Sequence, residues 1–143
     1  MQAIKEAVSC IREFNRFYTV RFGFLDQSYL GTGFSITEMR VLFEIHSCNG
    51  VNAKTLSDRL RMDKSYISRV IRSMMQRGLL VREVSAEDRR SYDLHLTEAG
   101  RQEMDRLIAA VNVDIEKILA PFDGEDQKAL CEAMQLIMEK LSK

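Results

Sequence analysis

Proline is almost missing from this 143-residue chain: Pro121 is the only one. Helices therefore meet a single strong breaker, and neither low-complexity segments nor internal repeats interrupt the pattern. No apolar run approaches the roughly 18–20 residues that a bilayer span requires, which excludes a transmembrane helix and a membrane partner. The opening residues MQAIKEAVSC hold neither an apolar signal core nor a small-residue cleavage site, so a cytoplasmic protein is expected. Cysteine is scarce, and the count is odd. Cys10, Cys48 and Cys131 show no paired spacing and read as thiols packed like small hydrophobes. His46 and Cys48 are too small a set for a metal site, so no metal and no cofactor are expected. No nucleophile–base set is visible, and the chain is not expected to be an enzyme.

A net charge of zero removes the simplest argument for a polyanionic partner, until the charge is mapped. Residues 53–91 hold ten Lys or Arg against five Asp or Glu, a local +5. From residue 97 to the end, six basic residues face ten acidic ones, a local −4. The basic share is concentrated on one stretch, as a nucleic-acid footprint requires.

Periodicity supplies the elements. Over residues 3–22, Ile4, Val8, Ile11, Phe14, Tyr18 and Phe22 recur at helical spacing. The aromatic cluster Phe14, Phe17, Tyr18, Phe22 and Phe24 suits a core or a subunit interface, because a dimerising helix needs one wide apolar face. Gly31, Thr32 and Gly33 mark a loop. Ser35 and Glu38 then form a capping box for a second helix that turns Met39, Val41, Leu42 and Ile45 inward and stops at residues 48–50. Asn52 caps a third helix running to residue 60, with Ala53, Leu56 and Leu60 apolar. After a turn at Arg61 and Met62, Asp63 caps a fourth helix, whose Ile67, Val70, Ile71 and Met74 make a core stripe. Residues 79–84 and 92–96 read as paired strands; Tyr92, Leu94 and Leu96 alternate with Asp93 and a solvent-facing His95. Thr97 opens a long fifth helix that Pro121 ends, and Asp123 caps a sixth with Leu130, Ala133, Met134, Ile137, Met138 and Leu141 on one stripe.

Two short helices, a tight turn and a β-hairpin make a helix-turn-helix with a wing, which points to duplex DNA. The second helix of such a unit enters the major groove, so it needs one apolar face for docking and one face of donors. Lys64, Ser65, Tyr66, Ser68, Arg69 and Arg72 supply the donor face. Lys64 and Arg69 can bond guanine O6 and N7, the serines are donors and acceptors, and Tyr66 can pack on a sugar or a thymine methyl. The loop between the strands, SAEDRRS, adds Arg89 and Arg90 at the tip of the hairpin, where an arginine can enter a narrow minor groove. Asp88 is expected to orient a neighbouring guanidinium by a charge-assisted bond.

The stretch DKSYISRVIRSMMQRGLLVREVSAEDRRSYDLHLTEAGR resembles the winged-helix core of the MarR (multiple antibiotic resistance regulator) family. The likeness rests on Arg-Gly-Leu at residues 77–79, Asp-x-Arg at residues 88–90 and Leu-Thr-x-x-Gly at residues 96–100. It implies a homodimer joined by the first, fifth and sixth helices, a transcriptional regulator on a pseudo-palindromic operator, often released by a small ligand, and Arg90 as the wing arginine. It places a ligand pocket between the dimer helices and the DNA-binding lobe, near Tyr18, Phe22 and Phe43. The stretch FNRFYTVRFGFLDQSYLGTGFSITEMRVLFEI looks like the regulator part of proteins that fuse this domain to a GNAT-type acetyltransferase. The catalytic half is not present in this sequence, so the chain is either a stand-alone relative or a regulator half.

The expected architecture is mainly α, or α+β by strict count: one winged helix-turn-helix domain over residues 1–143. Its DNA-binding lobe would span about 35–97, with dimerisation helices at about 3–30 and 98–142. The expected function is a homodimeric repressor of transcription. Two alternatives stay open: a winged helix used for protein–protein contact, and a thiol-switched regulator acting through Cys10.

Overall fold

A computed structural model describes residues 1–24, 29, 32–48 and 50–143. The expected reach of the first segment to residue 30, the loop signal at Gly31 and the Asn49 position of the helix stop fall partly or wholly outside the described residues. Six helices and one two-stranded sheet follow in the order α1 (Gln2–Arg21), α2 (Ile36–Ser47), α3 (Ala53–Leu60), α4 (Lys64–Gln76), β1 (Leu80–Val84), β2 (Tyr92–Leu96), α5 (Glu98–Leu119) and α6 (Gly124–Leu141). The chain forms two compact units, Met1–Ile108 and Ala109–Lys143.

In the first unit the core is built by α2, α3, α4 and the hairpin. Val41, Leu42 and Ile45 of α2, Leu56 of α3 and Ile67, Ile71 and Met74 of α4 are buried together with Leu80, Leu94 and Leu96. Burying one such side chain contributes about 1.5–3 kcal/mol, and together these side chains hold α4 in place. Phe34, Met104 and Leu107 extend this core. The expected capping box holds: the Glu38 N–H donates to Ser35 Oγ at 3.1 Å, and the Ser35 N–H donates to Glu38 Oε1 at 2.9 Å. Arg77, at the end of α4, lies 4.1 Å over the Phe34 ring and 3.8 Å from Glu38, tying the end of α4 to the start of α2. Nearby, Arg106 donates to the Thr32 carbonyl at 3.1 Å and to Glu103. The hydrogen bond from Arg106 holds the Glu103 carboxyl below the usual carboxylate range, against a smaller opposing effect of burial.

The hairpin pairs antiparallel with Leu80 opposite Leu96, Arg82 opposite Leu94 and Val84 opposite Tyr92. One face of the ribbon thus carries Leu80 and Leu96 at its base, Leu94 and Arg82 in the middle and Val84 and Tyr92 furthest out. Tyr92, expected to alternate into the core with the leucines, shares their face but is 45% exposed, because the ribbon has left the core by that point. A third segment braces the hairpin: the Leu94 N–H donates to the Val51 carbonyl at 2.8 Å, joining the chain just before α3 to β2.

The base of the hairpin is fixed by one junction. Gly78 takes φ +75°, which lets the chain leave α4 and enter β1. The Thr97 N–H donates to the Leu79 carbonyl at 3.0 Å, and Thr97 Oγ1 donates to the Gly78 carbonyl at 2.6 Å. Thr97 Oγ1 also accepts the Gly100 N–H at 2.9 Å, capping α5 as expected. A Cβ on residue 100 would lie 2.1 Å from the Leu79 carbonyl oxygen. The spacing Leu-Thr-x-x-Gly is therefore a packing requirement: threonine caps, and glycine admits a backbone.

On α1 no residue is buried, and Ile4, Val8, Ile11, Phe14, Phe17 and Val20 are exposed within the single chain. In the second unit α6 likewise buries none of its residues, and leaves Leu136, Ile137, Met138 and Leu141 exposed. Its cap is the expected one, Asp123 accepting the Asp126 N–H at 2.8 Å.

Gly100→Ala should lower the stability of the chain by about 1–3 kcal/mol, since the obstructing atom is backbone and cannot rotate away. Urea unfolding of the two proteins measures this, and an unchanged midpoint would contradict the junction as described.

Candidate nucleic-acid interface

The turn between α3 and α4 is tight because Arg61 adopts a left-handed conformation, φ 51° and ψ 46°. The Met62 N–H donates to the Ser57 carbonyl at 3.1 Å, and Ser57 Oγ returns a bond to the Met62 carbonyl. Asp63 occupies the N-cap of α4, but its side chain makes no capping bond there, contrary to expectation. Its carbonyl still starts the helix by accepting the Ile67 N–H at 3.0 Å. The first-turn N–H groups of α4 receive no capping bond from the Asp63 side chain.

Ile67, Val70, Ile71 and Met74 form the buried stripe of α4 as expected. Lys64, Ser65, Tyr66, Arg69 and Arg72 are exposed and Ser68 is half-buried, so the six donor-face residues share one side of a helix that contains no acid. The Arg69 guanidinium stands 5.6 Å from the Tyr66 ring centroid, a contact that steadies both side chains on the surface.

At the tip of the hairpin Ser85, which is buried, closes the loop by donating its N–H to the Ser91 carbonyl at 3.0 Å. Its hydroxyl accepts the N–H groups of Glu87 and Asp88 at 3.3 Å each. Asp88 does not hold a guanidinium: its carboxylate accepts the Arg90 backbone N–H at 3.0 Å, in an Asx turn, and its carbonyl accepts the Ser91 N–H. The preference for the backbone has a simple cause. An acceptor two residues before an N–H reaches it without ordering a long side chain, so the local bond wins. Asp88 thereby shapes the loop while the Arg89 and Arg90 side chains remain exposed.

A cleft of about 840 Å³ separates α4 from the wing. Lys64, Ser68 and Arg72 line it from the helix, Arg82, Arg90 and Tyr92 from the wing, and Lys54 from the start of α3. The Arg82 guanidinium lies over the Tyr92 ring, 4.6 Å from its centroid. Among the described residues, Lys54, Lys64, Arg69, Arg72, Arg82, Arg89 and Arg90 have no ion-pair partner, whereas Arg59, Arg77, Arg101 and Arg106 are each paired with a glutamate. Residue periodicity pointed to the helix face and the tip but missed Lys54, Arg82 and Ser85. A charged residue at an inward strand position was the available signal for Arg82.

Residues 32–91, which run from the start of the lobe through the wing tip, match the model of the MarR family. Over that stretch the chain is similar to the MarR family. An organic hydroperoxide resistance transcriptional regulator of Bacillus subtilis is 32% identical over 94 residues, covering 64% of this chain and 60% of that protein. The chain spans 37–64% of the length of the curated relatives it matches, all of which are transcriptional regulators by name. A MarR transcriptional regulator from Methanosarcina mazei Go1 superposes with a TM-score of 0.73 at 23% identity, covering 98% of this chain and 96% of that one. CouR from Rhodococcus jostii RHA1, solved with p-coumaroyl-CoA bound, gives a TM-score of 0.66 at 23% identity, with 86% and 87% covered. These likenesses show that the MarR winged-helix fold extends along nearly the whole chain. Among the described residues no helix is long and apolar enough to cross a membrane.

Of the three residues expected near a ligand, Tyr18 and Phe22 meet, with ring centroids 4.6 Å apart, and Phe14 and Phe24 join them at 5.4 and 5.5 Å from Tyr18. Phe43 lies on α2, 50% exposed, and among the described residues it has no ring contact with that cluster.

The wing loop gives a test that needs no ligand. In Asp88→Ala the Arg90 amide should exchange with solvent several-fold faster than in the parent, while Asp88→Asn, which keeps the acceptor, should protect it. Equal exchange in the two variants would contradict the role given to the carboxylate.

Proposed function

We propose that the chain is a sequence-specific duplex-DNA-binding regulator of transcription, acting as a homodimer and repressing until a small-molecule effector releases it. The observation that carries this reading is electrostatic. An acid-free helix face and a braced arginine tip lie on either side of one cleft, and their cations have no carboxylate partners among the described residues. A soluble surface normally interleaves charges of both signs; a one-sided array suits the regular phosphates of DNA.

In this reading α4 enters the major groove. Arg69 and Lys64 read guanine O6 and N7, Ser65 and Ser68 bond base edges or phosphates, Tyr66 packs against a sugar or a thymine methyl, and Arg72 holds a phosphate. Arg90, with Arg89 beside it, enters the flanking minor groove, and Asp88 keeps the loop in shape for that entry. The exposed apolar faces of α1 and α6 are the surfaces a second copy would cover, which would set two recognition helices about 34 Å apart on a pseudo-palindromic site. The Tyr18–Phe22 cluster is the proposed effector contact, with Phe43 as an outlying member. The relative that holds p-coumaroyl-CoA supports an aromatic acyl compound as the first class to try.

Arg69→Ala should weaken binding to a selected duplex by roughly ten- to a hundredfold and flatten its preference at one base position, the range of about 1–3 kcal/mol expected for a base contact. Arg90→Ala should weaken binding and reduce the preference for A·T-rich flanks. Gel shifts over a series of salt concentrations measure both. Wild-type binding that falls steeply with salt supports the reading, while absent duplex binding would favour a protein–protein module instead.

A further inference from the structure

The inner face of the hairpin should be apolar along its length, because Leu80, Leu94 and Leu96 on that face are buried. Arg82 breaks the pattern. It stands opposite Leu94, on the same face, and its side chain lies at the cleft between α4 and the wing. A cation at such a position is either paired or in use, and among the described residues no carboxylate pairs with it. Its one partner is Tyr92, whose ring centroid is 4.6 Å away.

The geometry of that contact matters. A guanidinium stacked on a ring has its flat face satisfied, while its edge N–H groups stay free to donate in the plane. The stack removes rotamer freedom in advance, so less entropy is lost when an anion binds. An ammonium on the same stem has no plane to stack and would gain less.

What faces this edge follows from the proposed docking, on which the inference rests. If α4 sits in the major groove and the wing tip in the adjacent minor groove, the wall between those grooves is a single sugar–phosphate strand. That strand must run through the cleft, and a group that lines the cleft from the wing side meets phosphate, not base edges. We propose that Arg82, held by Tyr92, is a phosphate contact. It grips the backbone strand between helix and wing, fixes the register of the wing, and reads no sequence.

The test is fluorescence anisotropy of the full chain with labelled random-sequence duplex, repeated over a range of salt concentrations. Arg82→Gln should weaken binding roughly three- to tenfold and lower the magnitude of the slope of log affinity against log salt by about 0.9, the value for one lost phosphate contact. Arg82→Lys should keep the wild-type slope with a smaller loss of affinity, Tyr92→Phe should match wild type, and Tyr92→Leu should lose affinity. The loss for Arg82→Gln should be the same on A·T-rich and G·C-rich duplexes. Thermal unfolding checks that each variant is folded; if Arg82→Gln is not, Arg82→Met, which keeps the aliphatic stem, is read in the same way. An unchanged salt slope in the charge-removing variant, or a loss that depends on base composition, would overturn the inference and leave DNA binding itself intact. If wild-type protein shows no salt-dependent duplex binding, both fall together.

Discussion

The position of a single carbonyl governs this lobe. The Leu79 oxygen points to where α5 begins; it accepts the Thr97 N–H and occupies the space that a side chain on residue 100 would need. Because α4 ends three residues before Leu79 and β2 ends one residue before Thr97, the same few atoms fix the exit from α4, both strand roots of the wing and the start of α5. Close packing turns that junction into a rigid joint, since a backbone atom cannot move aside as a flexible side chain would. The angle between α4 and the wing follows, and with it the width of the cleft.

From this joint the interface is built outward in layers. Buried leucines hold the root of the ribbon, Val51 pairs with Leu94 to tie the ribbon to the helix-turn-helix, and opposite Leu94 on the same ribbon face stands the cation Arg82. The loop at the tip is shaped by its own hydrogen bonds: Ser85 gathers two N–H groups and Asp88 a third. Preorganisation of this kind lowers the entropy lost on binding, so exposed arginines can contribute affinity instead of spending it on ordering themselves. Polar groups that serve structure are satisfied within the protein, and the cations facing the cleft are not.

Much of this was legible in the residues. The stripe Ile67, Val70, Ile71 and Met74 identified α4 and its buried face, and Ser35 with Glu38, Asn52, Thr97 and Asp123 marked helix starts that the hydrogen bonds reproduce. Four features needed coordinates. The empty cap at Asp63 and the backbone bond made by Asp88 depend on which of several nearby donors a short carboxylate reaches, and residue type leaves that open. Tyr92 shows a different limit: alternation gives the face of a strand, not how far along it the core extends. The unpaired state of the cleft cations was invisible for a third reason, since charges distant in sequence pair only once the fold brings them together.

The central claim is that the cleft-lining surface of α4 and the wing reads duplex DNA as one half of a symmetric pair. Selection of bound duplexes from a random pool by the full chain tests it most directly. The account predicts enrichment of an inverted repeat whose half-sites are centred about 10 base pairs apart, with A·T-rich flanks where the wings would lie. Failure to enrich any duplex, or enrichment of a single unrepeated element without A·T-rich flanks, would contradict it.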